Sequence, residues 1–150
     1  MREEVYDFLR EYGFSKDELN YFEEENEKMF FTNLVEVNRN IGFLINKGFS
    51  KEDVINIFRN NSFMITVKNN RLEALDKIYF EDLVFDFDNF KRLMIGNYDV
   101  YTTSPIELDK NINYLKEHNC SLDVIKKFII ENPSVISMTL EEFKNVVKFN

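Results

Sequence analysis

The stretch KGFSKEDVINIF, Lys47–Phe58, restates YGFSKDELNYF, Tyr12–Phe22, at a distance of 35 residues. Each copy follows a Phe-Leu pair, Phe8-Leu9 and Phe43-Leu44, at the same offset. The residue types describe a corner between two helices. A helix carrying Leu9 must end, and Gly13 enters the left-handed region without the Cβ penalty that other residues meet there. Phe14 then falls where an apolar residue closes back onto Leu9, as in a Schellman ending. Ser15 is placed to cap the next helix, Glu18 completes a capping box, and Phe14 staples onto Leu19. Leu44, Gly48, Phe49, Ser50, Asp53 and Val54 repeat the pattern position for position.

A third copy lies in YLKEHNCSLDVIKKFIIENPSVI, Tyr114–Ile136. Asn119 takes the place of glycine, being the next most tolerant residue in the left-handed region. Cys120 replaces the phenylalanine, Ser121 caps, and Ile125 takes the stapling position, while Val124 replaces the capping-box acid. Asp123 still suits the positive end of the helix dipole. From Gly48 to Asn119 is 71 residues, two steps of about 35, so a further copy belongs near residue 84. There KIYFEDLVFDFDNFKRLMIGNYDV offers Ile78, Leu83, Phe87, Phe90, Leu93 and Met94, but no Gly-Phe-Ser corner. Helical spacing continues after the corners in Val54, Ile57, Phe58 and in Ile125, Phe128, Ile129. Breaks follow at Asn61-Ser62 and Asn132-Pro133, and Thr139 with Glu142 opens another capped helix. The expectation is a short all-α solenoid of about four helix–turn–helix repeats, one domain over residues 1–150.

The segments FLINKGFSKEDVINIF and YLKEHNCSLDVIKKFIIENPSVISMTLEEFKNVVKF resemble repeats of the mitochondrial transcription termination factor (mTERF) family. The resemblance covers most of residues 5–150 and implies a curved superhelix of helix pairs, each closed by a short 3₁₀-like turn. It also implies a basic concave surface that grips nucleic acid in a transcription-related role, without catalysis.

Charge is unevenly distributed around a net value of −8. Residues 1–36 hold 4 basic and 11 acidic side chains, whereas residues 37–79 hold 7 basic and 4 acidic ones. Phosphate binding requires Lys or Arg, so the set Arg39, Lys47, Lys51, Arg59, Lys68, Arg71 and Lys77 is the expected nucleic-acid surface. The acidic run Glu23, Glu24, Glu25 and Glu27 supports a different reading, an interaction module or nucleic-acid mimic that docks on a basic protein. The many Phe and Tyr residues are expected in the core.

Chemistry is sparsely equipped. His118 and Cys120 are the only residues of their kinds and are too few for a zinc site or a Cys-His nucleophile. Asp86 and Asp88 open a calcium-loop pattern that lacks its glycine and its closing glutamate, since Lys91 and Asn97 stand at those places. No glycine-rich phosphate loop is present. The expectation is a binding protein with no cofactor, no metal and no enzymatic activity. A lone cysteine, an acidic start and no run of eighteen apolar residues point to a cytoplasmic protein with no membrane partner. The chain stops at VVKFN inside what reads as the first helix of a further unit, so self-association through this C-terminal repeat is also expected.

Overall fold

The computed structural model describes residues 1–149, and every regular element in them is helical. In chain order these are α1 (Glu3–Tyr12), α2 (Lys16–Glu25), α3 (Leu34–Lys47), α4 (Lys51–Asn60), the short α5 (Phe63–Thr66), α6 (Asn69–Lys77), α7 (Phe87–Gly96), α8 (Pro105–Glu117), α9 (Leu122–Glu131) and α10 (Leu140–Val146). Short 3₁₀ turns cover Glu27–Phe30 and Pro133–Ser137, and Ile78–Asp82 forms a π turn.

The corners have the construction that their residues encode. Gly13 and Gly48 take φ values of 139° and 120°, and Asn119 takes 64°. In each corner the next N–H donates back five residues: Phe14 to Leu9 O, Phe49 to Leu44 O and Cys120 to Leu115 O, at 3.0–3.1 Å. Ser15 and Ser50 form full capping boxes with Glu18 and Asp53, and Thr139 does so with Glu142. Ser121 accepts the Val124 N–H without a reciprocal acid, as expected once valine holds that position. Phe14 and Phe49 are buried, whereas Cys120 is only half-buried.

Near residue 84 the sequence shows no recognisable corner, but the structure contains one. Val84 has φ 56°, Phe85 is buried, and Asp86 caps α7 by accepting the Asn89 N–H. Val84-Phe85-Asp86 therefore plays the part of Gly-Phe-Ser, and the corner residues fall at 13, 48, 84 and 119. The middle step is one residue longer than the others, and the π turn absorbs the excess. There the Leu83 N–H donates to Ile78 O and the Phe85 N–H to Tyr79 O, six residues back. A β-branched residue in this region costs about 1–2 kcal/mol. Burying Phe85 returns about 1.5–3 kcal/mol, so the corner holds without a glycine.

A second recurring mark closes the second helix of each pair. Asn26, Asn61, Asn97 and Asn132 are the C-cap residues of α2, α4, α7 and α9. The first three turn the chain by accepting the N–H two residues on, from Lys28, Phe63 and Asp99 at 3.0–3.1 Å. Asn132 is followed by Pro133, and its amide instead donates to Phe128 O.

The chain divides into two compact halves, Met1–Asn69 and Asn70–Asn150. Within the first, the Asn26 amide donates to Ser62 O and Thr66 Oγ1, and the Asn40 amide to Val67 O. Within the second, the Asn97 amide donates to Pro133 O and Ser137 Oγ, and the Asn111 amide to Met138 O. Each of these partners stands 71 residues after its counterpart. Each half thus joins its successive helix pairs with amides at the same positions, buried at Asn26, Asn40 and Asn111 and half-buried at Asn97. The second half also holds an aromatic cluster of Tyr79, Phe85, Phe90 and Tyr101, with Tyr79 Oη donating to Val100 O and Tyr101 Oη to Asp76 Oδ1.

Candidate nucleic-acid interface

Five of the seven expected phosphate-contacting residues, Arg39, Lys47, Lys51, Arg59 and Lys68, lie in the first half; Arg71 and Lys77 lie in the second. Lys47 is half-buried and the other six are exposed. Their surroundings differ. Arg59, at the end of α4, forms an ion pair with Glu18 through two guanidinium nitrogens. Glu18 also accepts the Ser15 N–H as part of its capping box. Burial raises the Glu18 carboxyl, but the hydrogen bonds from Arg59 and Ser15 and the guanidinium charge outweigh this and hold it below the ordinary glutamate range. Lys68 pairs with Glu36 at 3.5 Å and Lys77 with Asp82 at 3.1 Å. Arg39 donates to Val67 O at 3.2 Å, and Arg71 to Thr102 O at 3.2 Å. Lys47 and Lys51 lie over aromatic faces, 5.6 Å from the Phe43 centroid and 4.8 Å from that of Tyr12. Exposed ion pairs of this kind contribute little to stability, about 0–1 kcal/mol, so a phosphate can compete for these cations at small cost.

A cleft in the first half takes in one of these seven, Lys68. It is lined by Lys28, Phe31, Thr32, Glu36, Thr66 and Lys68. The rim is exposed: Lys28 and Lys68 are in solvent, and the Phe31 ring is 75% exposed. The floor is closed by Thr32 and Thr66, each 3% exposed. Thr66 Oγ1 is held by the Asn26 amide, whereas Thr32 Oγ1 has no hydrogen-bond partner among the described residues. Lys28, Phe31 and Thr32 escape sequence reasoning because Lys28 directly follows the acidic run and the 3₁₀ turn that presents the other two has no motif of its own. The signal available was the Asn26 cap, which starts that turn.

The acidic run occupies the end of α2 and the turn after it. Glu23 pairs with the N-terminal amino group at 3.3 Å, and Glu24, Glu25 and Glu27 are exposed. His118 packs its ring on Phe149 with centroids 4.0 Å apart and points Nδ1 at Tyr114 O. Asp86 serves as the α7 cap described above. Among the described residues no group of three or more His, Cys, Asp or Glu side chains is placed to hold a metal. No helix among them is long and apolar enough to cross a membrane. Burial pushes the Tyr79 and Tyr101 phenols far up, and the Asp76 carboxylate raises Tyr101 further, so both stay neutral as packing groups.

The family model described as mTERF matches residues 1–150. No curated protein sequence matches the chain.

Proposed function

The chain belongs to the mTERF family, and from that membership we propose that it is a non-catalytic helical-repeat protein that binds nucleic acid in a transcription-related role. In this reading the four corners mark four repeats of a short solenoid. The matching amide bridges, from Asn26 and Asn97 and from Asn40 and Asn111, support it. The binding surface is centred on the basic residues between Arg39 and Lys77. The observation that carries the proposal is the family match over the whole chain. The lone Cys120 suits a reducing, cytoplasmic setting.

The test is a gel-shift series with DNA and RNA across salt concentrations. Affinity should fall steeply as salt rises, with log K dropping by roughly 0.9 per decade of salt for each duplex phosphate neutralised. Charge reversal at Lys47, Lys51 and Arg59 together should weaken binding to every sequence alike. An absence of binding to either nucleic acid at low salt would sink the proposal.

A second reading rests on the acidic run. Glu23, Glu24 and Glu25 fill the last turn of α2, where no basic residue stands. Negative charge there opposes the helix dipole and costs stability. Acids kept against that cost support a surface for a basic protein partner, and a triple Lys substitution at these positions should abolish capture of that partner.

A further inference from the structure

We propose that the cleft lined by Lys28, Phe31, Thr32 and Lys68 is a seat for one nucleotide of a single-stranded nucleic acid, with its phosphate between the two lysines and its unpaired base on the Phe31 ring. This rests on the nucleic-acid reading above and narrows it to a place and a strand type.

Three observations converge on the seat. Phe31 is 75% exposed and lines the cleft, although a phenylalanine in water forgoes the gain of burying its ring. Stacking a base on the ring would recover this without sequence preference, because every base has a π face. Two lysines, Lys28 and Lys68, line the same cleft as that ring, the combination of cationic and aromatic surface that binds a single strand. The floor contains the Thr32 hydroxyl, buried and without a partner among the described residues, which leaves a donor for a ligand oxygen.

Glu36 sets the terms of entry. Its carboxylate lines the same cleft, pairs with Lys68 at 3.5 Å and accepts from the Asn33 amide at 3.2 Å. A phosphate entering the cleft takes Lys68 from this carboxylate and meets its negative charge. Glu36 is therefore a competitor whose removal strengthens binding, the opposite of what loss of a purely structural ion pair would do.

The experiment is fluorescence anisotropy on the full chain at low salt. Probes of equal length are labelled oligothymidylate, oligouridylate, a duplex, and an oligonucleotide with abasic sites. Phe31→Ala should weaken binding to both single-stranded probes by about 5- to 100-fold. It should leave the abasic probe unchanged. Lys28→Glu and Lys68→Glu should weaken every probe, and Glu36→Gln should tighten the single-stranded ones several-fold. Phe31 is exposed, so its variant should keep the parent's melting temperature, and a matched melt verifies this. If Phe31→Ala and Glu36→Gln both leave single-strand affinity unchanged while the parent binds, the seat is wrong and the broader function stands. If the duplex binds and the single strands do not, the seat is likewise overturned. If no probe binds the parent chain, both readings fall.

Discussion

Val84 stands at φ 56°, where its sibling positions carry Gly13, Gly48 and Asn119. Its side chain is 57% exposed, so truncation removes little packing. Val84→Gly should therefore stabilise the protein by about 0.5–1 kcal/mol, the relief of left-handed strain less the extra freedom of glycine in the unfolded chain. A raised urea midpoint with an unchanged slope is the expected result, and a lowered one would mean that the strain is absent. Gly13→Ala should act in the opposite sense, by about 1–2 kcal/mol, because the added methyl would also lie 3.1 Å from Ile55 Cδ1. Gly96 raises a different issue. It has no left-handed requirement, yet a Cβ there would meet Pro133 Cγ at 2.5 Å. Gly96→Ala should cost about 1–3 kcal/mol by overpacking, seen as a lower melting temperature. Gly13 and Gly48 were readable as corner residues because their role is set by backbone geometry within five residues. The close approach at Gly96 was not, since its cause lies 37 positions further along the chain.

At the scale of elements, the caps set the helix starts. Ser50→Ala should lower stability by about 1 kcal/mol, since the Asp53 N–H loses its acceptor while the bond from the residue 50 N–H to the Asp53 carboxylate stays. The Ser15 corner carries an added tie, because Glu18 serves both its own cap and Arg59 on α4. With its carboxyl held below the usual range, Glu18 adds stability above about pH 4.3, the ordinary value in the unfolded chain. That contribution fades as the pH falls through the lower folded value. Urea midpoints of the parent and of Glu18→Gln should differ at pH 7, and the difference should narrow as the pH is taken down through the lowered folded value. Asn26→Ala removes two donations to buried acceptors and should cost about 1–3 kcal/mol. Capping boxes are legible in a sequence because donor and acceptor lie three residues apart. The asparagine bridges are not, because their second partners lie 36 and 40 residues away, and only the recurrence of Asn at 26, 61, 97 and 132 hints at them.

For the whole molecule, charge and fold give different indications. A net charge of −8 repels polyanions at long range, so the proposed binding of nucleic acid would have to rely on local cations that outcompete nearby acids. Raising salt therefore acts in two ways: it screens the repulsion and it weakens the phosphate contacts. The second effect dominates once several counterions are released, and affinity should fall steadily with salt. The seven basic residues of 37–79 are legible in the composition of that stretch, but composition does not record which of them face carboxylates. Lys68 and Glu36 are 32 positions apart in the chain and 3.5 Å apart in space.

By itself the sequence determined the helix pairs, three of their four corners, their period and the family, since each depends on residue type and short spacing. It also located the basic and acidic stretches. Only the tertiary structure revealed the fourth corner, where a π turn and a buried phenylalanine let valine do the work of glycine. It alone assembled the cleft of Lys28, Phe31, Thr32 and Lys68. That cleft draws on a turn and a helix boundary some forty residues apart, and no local preference records which distant side chains will share one pocket.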